Sequence, residues 1–274
     1  MLRRLRRWIR ERRAALPPSK ARSAEELRTL IGDLGTWMYR FDLGHGVTTK
    51  LHDEYLDSIH RTRWQMILPE LERTFDGRWG TIRALDAACN EGWFGFEVAK
   101  LGARAVIGFD ARRENVRKAN IVRAQTDARN VSVRVDSIFD ISPSRYGTFE
   151  LVLCLGLLYH LEDPMGALRR LRSVSTGLCV IDTEVARPGP PISVERGPQD
   201  GVVTTDEAIA VIAEPHFQRN PLASITGISF VPNLPALKAM LRHAGFRDVV
   251  VADPFPGAAS RYAEGDRVIL FARV

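Results

Sequence analysis

The sequence predicts an α/β fold: a doubly wound, mostly parallel seven-stranded sheet that ends in an antiparallel hairpin. Three observations carry this reading. Apolar strand patterns alternate with helical patterns between residues 82 and 182. Three of those strands run into a carboxylate at or beside their ends, Asp86, Asp110 and Asp136. Two further strand patterns close the chain, near enough in sequence to pair antiparallel.

The first strand, Ile82 to Ala87, defines the frame. It leads into Ala88-Cys89-Asn90-Glu91-Gly92, after which Phe96, Val98, Ala99 and Leu101 recur at helical spacing. Strand, tight turn and helix form the first half of a nucleotide-binding βαβ unit. The turn needs small residues where a ligand's polar part lies against its backbone. The second strand, Ala105 to Asp110, places a carboxylate 18 residues beyond Gly92. That is close to the ~20-residue spacing at which an acidic residue meets nucleoside ribose hydroxyls. Strands follow at Val131 to Asp136, Phe149 to Leu155 and Gly177 to Asp182, with helices at Trp93 to Leu101, Arg113 to Thr126 and Pro164 to Ser173. Leu234 to Ala244 reads as a helix with Asn233 as N-cap, Pro235 in the first turn and Gly245 as its stop. Arg247 to Ala252 and Arg267 to Ala272 supply the hairpin.

Two regions stand outside this alternation. Ser23 caps a helical stretch beginning Ala24-Glu25-Glu26-Leu27. Trp37 to Thr49 then reads as an aromatic strand or loop with a turn at Gly44 to Gly46, and Leu56 to Leu71 as a helix entering the core. Residues 184–232 interrupt the later part, opening on Pro188-Gly189-Pro190-Pro191 and containing a short predicted helix, Asp206 to Ile212. A loop of that length in a compact domain is usually functional or mobile. It leaves the carboxyl end of a strand, where open α/β sheets bind ligands, and reads as part of an acceptor cap. The predicted organisation is a basic tail at 1–22, a helical and lid segment at 23–80, and the main domain at 81–274 with the 184–232 cap insertion.

Charge is concentrated at one end. The chain carries +6, yet residues 1–22 hold nine basic side chains against Glu11 alone, a net +8 that leaves −2 for the rest. Leu2, Leu5, Trp8 and Ile9 lie at helical spacing within that tail, which suits a basic amphipathic helix at Met1 to Ala15. An anionic membrane surface, RNA or a partner chain would each fit such a helix, and so would a loosely ordered tail that aids solubility. No apolar run reaches the ~18 residues of a membrane span, and no secretion signal is visible, so a cytoplasmic protein is expected. Cys89, Cys154 and Cys179 lack metal-ligand spacing and read as buried thiols. His45, His52, His60, His216 and His243 form no recognisable metal cluster; His45 and His52, near Asp42 and Asp53, read as scattered surface residues, so no metal is expected.

The strand–turn–helix and its second acidic strand resemble the S-adenosylmethionine (SAM) site of class I methyltransferases, a Rossmann-like family. Ala88 and Asn90 stand where that family's first two glycines usually stand, and Gly92 is kept. The resemblance implies SAM as cofactor, with Asp86, Ala88, Asn90 and Gly92 under its amino acid end and Asp110 on the ribose. It implies Asp136 as acceptor for the adenine amine, with Ser137 and Ile138 or Phe139 beside the base and Leu155 bordering the site. Tyr159 and His160, after the fourth strand, would then lie near the transferring methyl. There they either orient the acceptor and remove its proton, or pack and hydrogen-bond loop backbone.

Four stretches resemble one branch more closely, the tRNA wobble-uridine methyltransferase-like family. They are Trp37 to Thr49, Cys89-Asn90-Glu91-Gly92, Gly156 to His160 and Phe230 to Asn233, within residues 34–252. Trp37, Tyr39 and Thr48 are the expected acceptor-side residues. Where the tRNA enzymes that use carboxy-SAM carry basic residues after Tyr-His, this chain has Leu161-Glu162-Asp163. That departure favours ordinary SAM and an acceptor that is a small metabolite or saccharide, methylated on oxygen or nitrogen. A tRNA wobble-uridine enzyme, using the basic tail on phosphates, is the second reading. A non-catalytic SAM-binding protein, suggested by the replaced glycines, is the third.

Overall fold

Alternate residues of the central strands serve two separate cores. Along Phe149–Leu155, Leu151 and Leu153 join one apolar cluster while Val152 and Cys154 join the other. A strand buried on both faces reads as a continuous apolar run, the pattern of a parallel sheet sandwiched between helices. The structure, a computed structural model, describes residues 20–21, 23–32, 34–196, 202–214 and 224–274. The tail helix expected at Met1 to Ala15 lies outside the described residues, as does His216.

In chain order the elements are α1 (Ala24–Gly32), α2 (Glu54–Phe75), β1 (Arg83–Ala87), α3 (Trp93–Lys100), β2 (Ala105–Asp110), α4 (Arg113–Gln125), β3 (Val131–Val135), α5 (Pro143–Tyr146), β4 (Phe149–Leu155), α6 (Pro164–Val174) and β5 (Ser175–Glu184). There follow β6 (Ile192–Glu195), β7 (Val202–Thr205), β8 (Ile209–Ala213), β9 (Ile228–Pro232), α7 (Leu234–Ala244), β10 (Asp248–Val251), α8 (Ser260–Ala263) and β11 (Arg267–Arg273). Seven strands form the main sheet in the order β10-β11-β5-β4-β1-β2-β3. β1 to β5 run parallel, and β11 is antiparallel to both β5 and β10. Succession reverses between β1 and β4, so the crevice at their carboxyl ends is the switch point where such sheets bind ligands.

Local chemistry sets the boundaries. Ser23 Oγ accepts from the Glu26 N–H at 3.2 Å, and Asn233 Oδ1 accepts from Ala236 at 3.0 Å, capping the helices they precede. Gly245 ends α7 at φ 103°, a left-handed conformation that costs glycine little. The three cysteines are buried free thiols.

One sequence expectation on the insertion fails. Asp206 to Ile212 is not a helix: Ile209–Ala213 is a strand paired antiparallel with Ile228–Pro232. Three of its five residues, Ile209, Val211 and Ile212, are β-branched, and a partner strand supplies the ladder bonds that a short isolated helix would lack. Asn233 fixes this pair to the domain by accepting from Ala208 at 3.2 Å and donating to the Asp206 carbonyl at 2.6 Å. A bond of 2.8 Å from the Phe230 N–H to the Leu161 carbonyl brings β9 against the loop after β4. The ribbon β6–β7 and the helix α8 between the last two main-sheet strands are further elements that sequence periodicity did not mark.

Candidate functional site

The turn after β1 is built on backbone conformation. Ala88, Asn90 and Gly92 all have positive φ, at 55°, 52° and 84°. Two non-glycine residues thus hold the left-handed backbone that alternating glycines would adopt, and asparagine does so at less cost than alanine. Gly92 is the residue with least room for change, because an added Cβ would lie 3.1 Å from the Phe96 ring. Asp86 is buried and accepts from the Gly95 N–H of α3 at 2.9 Å. Its carboxylate therefore ties the strand to the helix start and lies off the cavity wall. Burial pushes the Asp86 carboxyl up to about 7, against the lowering effect of the Gly95 bond.

A cavity of about 370 Å³ opens at the carboxyl ends of the parallel strands. Of the sequence-identified residues, Ala88, Asn90, Asp110, Asp136, Ser137, Ile138, Leu155, Tyr159, His160 and Tyr39 line it. Asp110 accepts from the backbone of Asn90 at 2.9 Å and of Arg112 at 2.8 Å, and from Asn115 Nδ2 at 3.2 Å. Burial raises its carboxyl and these bonds counter the rise. A carboxylate has about four acceptor positions, so Asp110 keeps capacity toward the cavity. Asp136 accepts from Tyr146 Oη at 2.7 Å, Arg145 at 2.7 Å and the Ser137 N–H at 3.0 Å. Asn90 Oδ1, buried at this wall, has no hydrogen-bond partner among the described residues. An unpaired buried acceptor costs free energy unless a ligand donates to it.

Three other expected residues stand elsewhere: Gly92, which lies in the turn but not in the cavity lining, Trp37 and Thr48. Trp37 is in the core, 1% exposed, with Lys118 Nζ 5.1 Å from its ring centroid. Thr48 is exposed and bridges Asp42 across the turn at Gly44 to Gly46. Neither touches the cavity, because the segment folds into a hairpin that presents Met38 and Tyr39 inward.

The opposite end of the cavity is a buried ionic layer. Asp182 at the end of β5 is fully buried between Arg267, 2.6 Å away, and Arg63, 3.1 Å away. Tyr262 Oη donates to the same carboxylate at 2.6 Å. Burial alone would raise the Asp182 carboxyl, but Arg267 and Arg63 outweigh it and hold it below the usual range. Arg267 also donates to Tyr159 Oη at 3.3 Å, and Arg261 pairs with Glu184 at 2.8 Å. His160 borders this layer. Burial, with Arg267 and Arg112 nearby, lowers its imidazole to about 4, so it is neutral at physiological pH.

His60 lies buried beside the site. It is only 7% exposed on α2, with its ring centroid 4.3 Å from that of Tyr39, and burial lowers it to about 2. Arg63, Arg267 and His60 were not legible as site residues, since α2 and β11 meet at the site only in three dimensions. Asp182 had a signal, being a carboxylate at a strand end like Asp86 and Asp110.

The sheet order, the left-handed turn and the successive strand-end carboxylates resemble those of class I SAM-dependent methyltransferases. Within that class the chain resembles the tRNA wobble-uridine branch. Residues 80–210 match the family model described as a methyltransferase domain. The tRNA U34 carboxymethyltransferase of Ectopseudomonas mendocina is 26% identical over 208 residues, 74% of this chain and 56% of that protein. The Campylobacter hominis enzyme of the same name is 27% identical over 207 residues, covering 71% and 61%. The chain thus spans little more than half the length of these relatives.

Two solved structures share the fold. The N-terminal domain of EvdMO1, crystallised in the presence of S-adenosylhomocysteine (SAH) and D-fucose, superposes with TM-score 0.67 at 21% identity, covering 91% of this chain and 96% of that one. Magnesium protoporphyrin IX methyltransferase from Synechocystis with bound SAM gives 0.55 at 15% identity, covering 90% and 94%. No helix among the described residues is long and apolar enough to cross a membrane.

Proposed function

We propose that this chain is a SAM-dependent methyltransferase that acts on an oxygen or nitrogen of a small metabolite or saccharide. The cofactor end fits SAM: Ala88 and Asn90 offer a left-handed backbone, Asn90 Oδ1 lacks a donor, and Asp110 retains acceptor capacity for ribose hydroxyls. When bound, SAM would supply an electrophilic methyl group. The protein's task is then alignment of the acceptor lone pair with that methyl. Tyr159 and His160 stand where the acceptor would lie, and a neutral imidazole can take the proton that a hydroxyl gives up.

The observation that carries the choice of acceptor is charge pairing. Arg63, Arg261 and Arg267 on the acceptor wall each have a carboxylate partner. Such a wall offers hydrogen bonds without demanding an anion, which suits a neutral polyhydroxylated acceptor. The structural likeness to a domain crystallised with SAH and D-fucose supports the same choice. The third reading, a SAM-binding protein without activity, drew on the replaced glycines. The positive φ of Ala88 and Asn90 supports a working turn instead.

The test is calorimetric titration with SAM and SAH, repeated on Asp110→Ala. Micromolar binding that weakens roughly tenfold to a hundredfold in the variant is expected from loss of charge-assisted hydrogen bonds. A monosaccharide acceptor screen including D-fucose follows. A second reading, methylation of tRNA, has the names of the curated relatives in its favour. It requires salt-sensitive tRNA binding that disappears when residues 1–22 are removed.

A further inference from the structure

Glu91 lies inside the cofactor turn, between Asn90 and Gly92, yet its side chain points away from the cavity. It is 1% exposed. Its Oε2 accepts from the backbone N–H of Met38 at 2.9 Å and of Tyr39 at 3.2 Å. Its Oε1 takes Lys118 Nζ at 3.0 Å, and the same ammonium donates to the Thr36 carbonyl at 2.6 Å. Burial raises the Glu91 carboxyl, and Lys118 counters that rise. A buried ion pair is an expensive way to hold two loops together, and apolar packing would do so at least as well. What the pair adds is a fixed register between two backbones, because charge-assisted bonds to N–H groups are directional.

The two backbones have different duties. Neighbours of Glu91 in the turn, Ala88 and Asn90, line the cofactor end of the cavity. Met38 and Tyr39 line its wall beside His60, and the Tyr39 ring also stacks on Trp93, 6.2 Å between centroids, at the start of α3. We propose that Glu91 is a positioning residue that couples the cofactor turn to the acceptor wall, so that occupancy of the turn fixes Met38 and Tyr39 in place. The coupling rests on the SAM-binding reading, whereas the clamp itself does not.

Hydrogen exchange of the full chain, with and without SAH, tests this. The variants are Glu91→Gln, which keeps an acceptor for both amides, and Glu91→Ala combined with Lys118→Met, which removes the pair without stranding a charge. Without ligand, the double variant should exchange the amides of residues 36–49 about tenfold faster or more, with β1 and β4 unchanged. SAH should slow exchange of residues 36–49 in the wild-type chain and in Glu91→Gln. In the double variant SAH should bind within about threefold of wild type and give no such slowing. Unchanged exchange in the ligand-free double variant, persistent slowing by SAH there, or loss of slowing in Glu91→Gln would each overturn the assignment. Failure of the wild-type chain to bind SAH would instead count against the cofactor reading and remove the coupling with it, leaving the ligand-free comparison to decide the clamp.

Discussion

Ala88 stands in a conformation that glycine would hold more cheaply, and the cost can be measured. Its φ is 55°, in the left-handed region, and the residue lines the cavity. For an L-residue that conformation costs about 1–2 kcal/mol. Ala88→Gly removes the cost but returns about 0.4–1 kcal/mol through the greater entropy of the unfolded chain. The expected net effect is a stabilisation of roughly 0.5–1 kcal/mol. Ala88→Val moves the other way, because a β-branched residue is a true outlier at positive φ, and a loss of about 2–3 kcal/mol is expected. At about 2–4 °C per kcal/mol for a chain of this size, valine should lower the midpoint by roughly 4–12 °C, while glycine raises it slightly. Thermal and urea unfolding measure both. SAH affinity should stay within about threefold in the glycine variant, since the backbone is unchanged, and fall in the valine variant. If Ala88→Val melted at the wild-type temperature, Ala88 would not be left-handed, and the account of the turn would be wrong.

Four further outcomes follow from the buried titratable groups. Asp86 titrates near 7 when folded, above its unfolded value of 3.8, so the folded state holds its proton longer. Its contribution to stability is full below the unfolded value and is lost as pH rises toward and through 7. Urea unfolding at pH 5 and 7.5 should show a drop on the order of 2 kcal/mol from this group, absent in Asp86→Asn. Arg267→Met leaves Asp182 in a buried site with one guanidinium fewer and should destabilise by about 3–5 kcal/mol, read as a fall in denaturant midpoint. With an acceptor from the screen, His160→Gln should reduce kcat about 10²-fold with little change in KM if His160 takes the acceptor proton. The activity of the wild-type chain should then be flat from pH 6 to 8, because the imidazole is neutral throughout; a titration near 6.5 would contradict its burial.

The sequence by itself determined the sheet. Strand and helix periods, the caps at Ser23 and Asn233 and the stop at Gly245 are local properties of a few residues, and the structure reproduces them. The same holds for one end of the cavity: Asp110 and Asp136 lie at successive strand ends, and parallel strands in the switch-point order bring those ends to one crevice. Local pattern failed in the insertion, where β8 depends on a partner fifteen or more residues away and its only local strand signal is the β-branched Ile209, Val211 and Ile212. It also failed on the acceptor side. Tyr39 was expected there, but Met38 was not, and it lines the cavity beside Tyr39 where Glu91 accepts both amides; Arg63 from α2 meets Arg267 from β11 only across Asp182. Tertiary structure alone decided those contacts. They join residues far apart in the chain, and a hydrogen bond or ion pair leaves no period in the sequence that encodes it.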